Sequence, residues 1–292
     1  MGYAIYKRRK KTLLFLTVPF LVSLFFFLIA VVWTIFISFT NQKLTGIEAI
    51  NPKIIGLKNY LYILKNSTFI DSLTITANFT FLSAIIGQCF IGILLAAFVR
   101  QGFIKRPVFI EIPILLGWIV PDTVAAFSWL ALVDDTGFVN QVLSWLNIES
   151  TGSLMEHHGF FIITVNNVWK GLAWSYLLFT AAIDGVSREI LEASTMDGVS
   201  AGRQIYHIII PSILPQIFIN LLLITIWTVG VFSIPYIMSN GNPDTNILGV
   251  FMYNQAFASQ RIGLASSISV IMTCIVGVFA ALYFYFQKKY EE

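Results

Sequence analysis

Charge is what this sequence has least of. Only 11% of its 292 residues are Asp, Glu, Lys or Arg and 57% are hydrophobic, whereas a soluble domain carries about 25% charged residues. So few charges cannot clothe a water-facing surface, which excludes an ordinary soluble domain and makes lipid the natural solvent. Length alone would suggest one or two soluble domains; hydropathy replaces them with one membrane domain. Cysteine is nearly absent as well. Cys89 and Cys274 lie in apolar runs, outside any Cys/His cluster, and read as small buried hydrophobes rather than metal ligands. The Gly-x4-Gly-Lys-Ser/Thr string that cradles nucleotide phosphates is missing, so the chain itself is not expected to bind ATP or any other cofactor. No catalytic set appears, and His157-His158 is an isolated pair, a poor metal site without further ligands. Nothing suggests nucleic acid: no aromatic or basic stripe occurs beyond one N-terminal cluster. No fixed-period repeat and no separate soluble domain is visible.

What the sequence does have is long apolar runs. A transmembrane helix needs about 20 mostly apolar residues, and six segments qualify: 13–39, 73–99, 108–133, 160–183, 208–232 and 264–286. The first is much longer than the roughly 7–15 apolar residues of a signal peptide and lacks a clear small-x-small cleavage site, so it reads as a retained helix. Pro19 is expected in the first turns of that helix, where a missing N–H costs little. Pro113 and Pro121 are expected to kink the third span, which is tolerable where other groups satisfy the freed backbone. The fold class is therefore all-α integral membrane, with a basic N-terminus at 1–12, a six-helix domain at 13–286 and a tail at 287–292.

Lys and Arg supply the orientation. Lys7, Arg8, Arg9, Lys10 and Lys11 precede the first span, Arg100, Lys105 and Arg106 follow the second, Arg188 and Arg203 follow the fourth, and Lys288 and Lys289 follow the sixth. With six spans these share one side, against Lys43, Lys53, Lys58, Lys65 and Arg261 on the other. The richer side is expected to be cytoplasmic, with both termini there. Of the outer connections, the first holds an amphipathic stretch after Gly56-Leu57-Lys58-Asn59-Tyr60, expected as a short interfacial helix. The second carries Asp134, Asp135, Glu149 and Glu156 without Lys or Arg, and the third is rich in turn formers at Ser239-Asn240-Gly241-Asn242-Pro243-Asp244.

The most informative stretch is the cytoplasmic connection between the fourth and fifth spans, about 186–207. A short helix is expected from near Ser187, whose hydroxyl can cap it, with Glu189 and Glu192 favoured by the helix dipole. Gly198 allows a left-handed stop, and a second helix leads to Pro211 at the start of a span. Two short helices separated by glycine make a compact projection suited to docking.

Here the chain resembles the binding-protein-dependent ABC importer permeases. Their cytoplasmic signature reads Glu-Ala-Ala, three residues, Gly, nine residues, then Ile-x-Leu-Pro. In this chain it stands as Glu192-Ala193-Ser194, then Gly198, then Ile208-Ile209-Ile210-Pro211, with spacing intact and Ser194 and Ile210 as small departures. Asp197 before Gly198 is similar to the carbohydrate branch. Ser38-Phe39-Thr40, Gly56-Leu57-Lys58-Asn59-Tyr60, Gly137-Phe138-Val139-Asn140, Ser239-Asn240-Gly241-Asn242-Pro243, Tyr253-Asn254-Gln255-Ala256-Phe257 and Gly263-Leu264-Ala265-Ser266-Ser267 resemble the maltose- and glycerol-phosphate-type subunits along nearly the whole chain. Asn240 and Asn242 depart from that family's Gly-Gly-Pro loop.

The resemblance implies a permease subunit in a prokaryotic plasma or inner membrane that imports a sugar, with an oligosaccharide the favoured cargo. It implies a second homologous permease, two cytoplasmic ATPase subunits that bind ATP and Mg, and an extracytoplasmic sugar-binding protein. It also implies that the region around Glu192, Ala193, Ser194, Asp197, Gly198 and Pro211 is the coupling element that docks into an ATPase cleft.

Polar groups inside a membrane are costly and usually face a cavity or a partner helix. Asp122, Asn166, Asn167, Trp169, Lys170, Asn220 and Trp227 form the candidate substrate path, because sugars need amides and carboxylates for their hydroxyls and aromatic faces for their C–H surfaces. Each also has a plainer reading. Trp near helix ends belongs to interfacial belts, Asn joins helices, and Lys170 either snorkels or pairs with Asp122. Two other classes compete. A gradient-driven carrier would use Asp122 and Lys170 as a coupling-ion site but commonly shows inverted repeats, and a membrane scaffold would need no polar residues in its spans.

Overall fold

Hydrocarbon offers the backbone no water, so a spanning segment must satisfy its own N–H and C=O groups, which apolar runs of this length do as helices. A computed structural model describes residues 2–148, 154–239 and 242–291. Among them the only strand-like pairing is one antiparallel bridge, Thr40 with Ile54. In chain order the principal helices are α1 (Gly2–Ser38), α2 (Lys58–Lys65), α3 (Ser67–Arg100), α4 (Val108–Ile119), α5 (Asp122–Val133), α6 (Phe138–Trp145), α7 (Leu154–Asp184), α8 (Arg188–Met196), α9 (Ala201–Ser212), α10 (Leu214–Val229), α11 (Ser233–Ser239), α12 (Leu248–Tyr253) and α13 (Ile262–Glu291). The chain divides into two units, Met1–Asn66 with Met252–Ile271 and Ser67–Phe251 with Met272–Glu292.

The first unit is built on α1. The basic N-terminal residues continue this helix outward, so Pro19 lies in its interior rather than in its first turns. Over Thr17–Ser38 only 6% of the helix is buried, which leaves apolar side chains on every face for lipid or another subunit. The end of α1 strands carbonyls that no further turn can satisfy, and polar side chains reach them. Asn59 on α2 donates from Nδ2 to Ser38 O at 2.9 Å and to Thr40 O at 2.8 Å. Ser267 on α13 donates to Ser38 O at 2.9 Å, and Tyr60 OH lies 2.6 Å from Ser38 Oγ. Gly263 meets the Thr40 carbonyl where a Cβ would not fit, and its N–H donates to Gln42 O at 2.9 Å. The short motifs at 38–40, 56–60 and 263–267 therefore share one task, closing the end of α1.

In the second unit α3 packs against α7 through small residues, Ala96, Ala97 and Ala173 being fully buried, as expected where dispersion rather than hydrophobicity joins helices. α3 contains a ten-residue π-helical segment, Phe81–Phe90. Two expectations need correction. The third span is not one kinked helix over 108–133: Pro113 is accommodated inside α4, but at Pro121 the chain turns by 119°. Val120 before it is extended, at φ −64° and ψ 128°, as the residue preceding proline prefers, so the helix ends instead of bending. The fifth span does not begin at Pro211, which lies in α9; the chain breaks by 72° at Ile213 and α10 starts at Leu214.

By length and apolar character α1, α3 and α13 can each cross a membrane, and the two bent pairs raise the number of such spans to as many as five among the described residues. Six spans require α7 too. Its backbone kinks at His158 (φ −129°, ψ 20°), and the helix beyond it, 159–184, is still long enough to cross, but Asn166, Asn167 and Lys170 make it the least apolar. α6 lies in the first half of the acidic second connection, with Glu149 outside the described residues, as are Asn240 and Gly241 of the third.

Asn59→Ala should lower stability by about 1–3 kcal/mol, because Thr40 O loses its side-chain donor and Ser38 O keeps only Ser267. Thermal unfolding of the purified protein in detergent measures it, and an unchanged midpoint would contradict the capping role.

Candidate functional site

The projection between α7 and α10 is closed by backbone geometry. Gly198 has φ +76°, its N–H donates to Thr195 O at 3.0 Å, and Val199 N–H donates to Ser194 O at 3.0 Å. This pair of bonds is the Schellman closure that satisfies the last carbonyls of α8. A Cβ at Gly198 would meet nothing within 4 Å, so the demand for glycine is conformational rather than steric. Ser187 does occupy the N-cap position, but its hydroxyl makes no capping bond, contrary to expectation.

The two faces of α8 differ. Glu192, Ala193 and Asp197 are exposed, and Met196 is 90% exposed, an unusual position for an apolar side chain on a water-facing loop. Ser194 faces inward instead of standing beside Ala193 on the outer surface. It donates to Leu191 O at 2.8 Å and accepts from Gln204 Nε2 at 2.9 Å.

The intramembrane polar residues fall into two groups. Asn166, Asn167 and Asn220 are interior. Asn166 is fully buried, directs Nδ2 at Met238 Sδ at 3.2 Å, and has no hydrogen-bond partner for Oδ1. Asn167 donates to Ser83 Oγ at 3.0 Å, and its carbonyl accepts from Gln88 Nε2 at 3.1 Å. Ser83 and Gln88 both lie in the π segment of α3, a helix irregularity often found where side chains must be re-aimed. Asn220 donates to Ser175 Oγ at 3.0 Å, joining α10 to α7.

The second group lines the break between α4 and α5. Lys170 Nζ lies 3.0 Å from Asp122 Oδ1 and donates to Val120 O at 2.5 Å. Its side chain is 14% exposed, against 48% for Asp122. One residue earlier, Trp169 Nε1 donates to Pro113 O at 2.9 Å. Successive residues of α7 thus hold carbonyls at two levels of α4. Nearby, Trp118, Trp174 and Trp227 form an edge-to-face chain with centroids 5.7 and 5.0 Å apart, its two outer members half exposed. Tyr176 OH donates to Glu111 at 2.6 Å.

The family model described as "Binding-protein-dependent transport system inner membrane component" matches residues 91–292. The chain belongs to this family. It is 28% identical over 266 residues to the trehalose/maltose transport system permease protein MalF of Thermococcus litoralis, covering 90% of this chain and 88% of that one. It is 27% identical over 285 residues to the multiple sugar-binding transport system permease protein MsmF of Streptococcus mutans, covering 95% of each. Its fold matches a crystal structure of a bacterial ABC transporter involved in the import of the acidic polysaccharide alginate, with a TM-score of 0.82 at 18% identity over 97% of this chain and 96% of the other.

This inner membrane component is therefore a multi-pass transport protein. Within it the structure brings Asp122, Trp169 and Lys170 to one break and Trp227 to an aromatic cluster, while Asn166, Asn167 and Asn220 serve helix contacts. Trp118, Gln101 and Gln204 were missed in the sequence. Trp118 looks like an interfacial belt residue, and the glutamines look like solvated loop residues, until tertiary contacts are known.

Lys170→Met should cost about 1–3 kcal/mol, because it leaves the Val120 carbonyl without its donor. Asp122→Asn should cost about 1 kcal/mol or less, since that carboxylate is half exposed. Unfolding midpoints in detergent give the order; equal or reversed losses would contradict it.

Proposed function

We propose that this chain is one permease subunit of an ATP-driven ABC importer for a sugar, with an oligosaccharide the favoured cargo, received from an extracytoplasmic binding protein. It pairs with a second, homologous permease, and two cytoplasmic ATPase subunits bind ATP with Mg and hydrolyse it. The chain holds no cofactor and performs no chemistry itself. It crosses the membrane six times, α7 being the polar span, with both termini on the Lys- and Arg-rich cytoplasmic side.

The observation that carries this reading is the α8–Gly198–α9 projection. Its outer face offers Glu192, Ala193, Met196 and Asp197, a carboxylate pair around one apolar anchor, while its inner face is hydrogen-bonded to itself. That combination suits a rigid plug for a protein cleft: exposed apolar anchors give contact energy and charges give register. The relatives named for trehalose/maltose and for multiple sugars support a sugar as cargo.

For the path, the half-exposed Trp118 and Trp227 with Asp122 are better placed than the buried asparagines. They expose aromatic faces for sugar C–H surfaces and a carboxylate for hydroxyls. A gradient-driven carrier is disfavoured because Asp122 and Lys170 are committed to each other and to the Val120 carbonyl.

Glu192→Ala should weaken retention of the ATPase subunits during purification of the complex by about tenfold or more, the effect of removing one member of a desolvated charge pair. Subunit stoichiometry after detergent extraction reports it. Full retention would count against the projection as the docking element.

A further inference from the structure

Both covalent connections of the α8–α9 projection run through helix breaks. On one side lie the turn at Gly185 and Val186, and on the other the 72° break at Ile213. A push delivered to α8 would be absorbed at those joints unless something else ties the projection to the bundle. Apolar packing of the buried Ile205 and Ile209 holds it against neighbouring helices, but such contacts are not directional.

The directional tie is a chain of two side-chain amides. Gln204 on α9 is 95% buried, being 5% exposed. Its Nε2 lies 2.9 Å from Ser194 Oγ, 2.8 Å from Thr195 Oγ1 and 3.3 Å from Leu191 O, so it fastens α9 to the last turns of α8. Its Oε1 accepts from Gln101 Nε2 at 3.2 Å. Gln101 directly follows α3 and continues its backbone pattern, donating its N–H to Ala97 O at 2.9 Å. One amide donates within the projection and accepts from the membrane span, and the amide orientation is set by those donors and acceptors.

We propose that Gln204 is a positioning residue that makes α8 and α9 one rigid piece, and that the Gln101–Gln204 bond is the strut carrying displacement of that piece to α3. This rests on the reading of the projection as the ATPase-docking element. Buried polar networks with every member satisfied specify one arrangement, which a force-transmitting joint needs.

The test uses the complete transporter in proteoliposomes, with the chain carrying Gln101→Leu, Gln101→Glu or Gln101→Lys. Gln101 is only partly buried, so these variants leave the packed core intact. Transported substrate per ATP hydrolysed should fall about fivefold for Leu and Glu, the effect of one lost hydrogen bond. It should stay near the unaltered value for Lys, which still donates to Gln204 Oε1. ATPase subunits should remain bound in all three. A filler role would treat Glu and Lys alike, so equal behaviour of Glu and Lys, or an unchanged ratio in Leu and Glu, overturns the strut. The two readings fail separately. ATPase retention insensitive to Glu192→Ala overturns the docking reading, whereas retention sensitive to Glu192 with an unchanged ratio in the Gln101 variants overturns the strut alone.

Discussion

A backbone carbonyl stranded in hydrocarbon costs several kcal/mol, and this chain interrupts its helices repeatedly, so each interruption must come with a donor. At the end of α1 the donors are Asn59 and Ser267. At the break after α4 the donor is the Lys170 ammonium on Val120 O. At the end of α8 the Schellman bonds from Gly198 and Val199 take this part. The motifs that mark the family resemblance at 38–40, 56–60 and 263–267 are understandable in these terms: they close a helix end.

The same constraint divides the polar residues of the spans. A side chain that serves a helix contact is sealed in, as Asn167 and Asn220 are, and the hydrogen bond it makes keeps two helices in register. A side chain beside an interruption keeps one face open, as Asp122 does while holding Lys170. Interruptions are therefore where an otherwise apolar bundle can afford polar surface, and the bend at Pro121 collects a carboxylate, an ammonium and a tryptophan within a short stretch of α4, α5 and α7. A polar solute would find matching groups at this break, whereas the Thr17–Ser38 part of α1 carries no charged side chain.

Much of this was legible in the sequence because local chemistry decided it. Gly198 stops a helix in any context that keeps its φ positive, and Glu192 on a short amphipathic helix remains in water. The Asp122–Lys170 pair was one of two readings, since two opposite charges in adjacent spans have strong reason to meet. What was illegible depended on angles and on partners distant in sequence. A proline says that a hydrogen bond is lost but not that the chain will turn by 119°. Ser194 looks equivalent to Ala193 until Gln204 approaches from the next helix. Ser187 has the right identity and backbone for a cap, yet its hydroxyl makes no capping bond. Asn166 and Asn167 have the chemistry of a sugar site, but burial against α3 and Met238 is a tertiary fact.

The central claim is that transport through this chain is driven by nucleotide hydrolysis outside it and delivered through one projection. The most direct measurement is sugar uptake into proteoliposomes holding the complete complex and its binding protein, with ATP supplied on the side of the ATPase subunits and all ion gradients collapsed by ionophores. The account predicts uptake that requires ATP and is unaffected by the ionophores. Uptake that persists without ATP and disappears when the gradients are collapsed would contradict it.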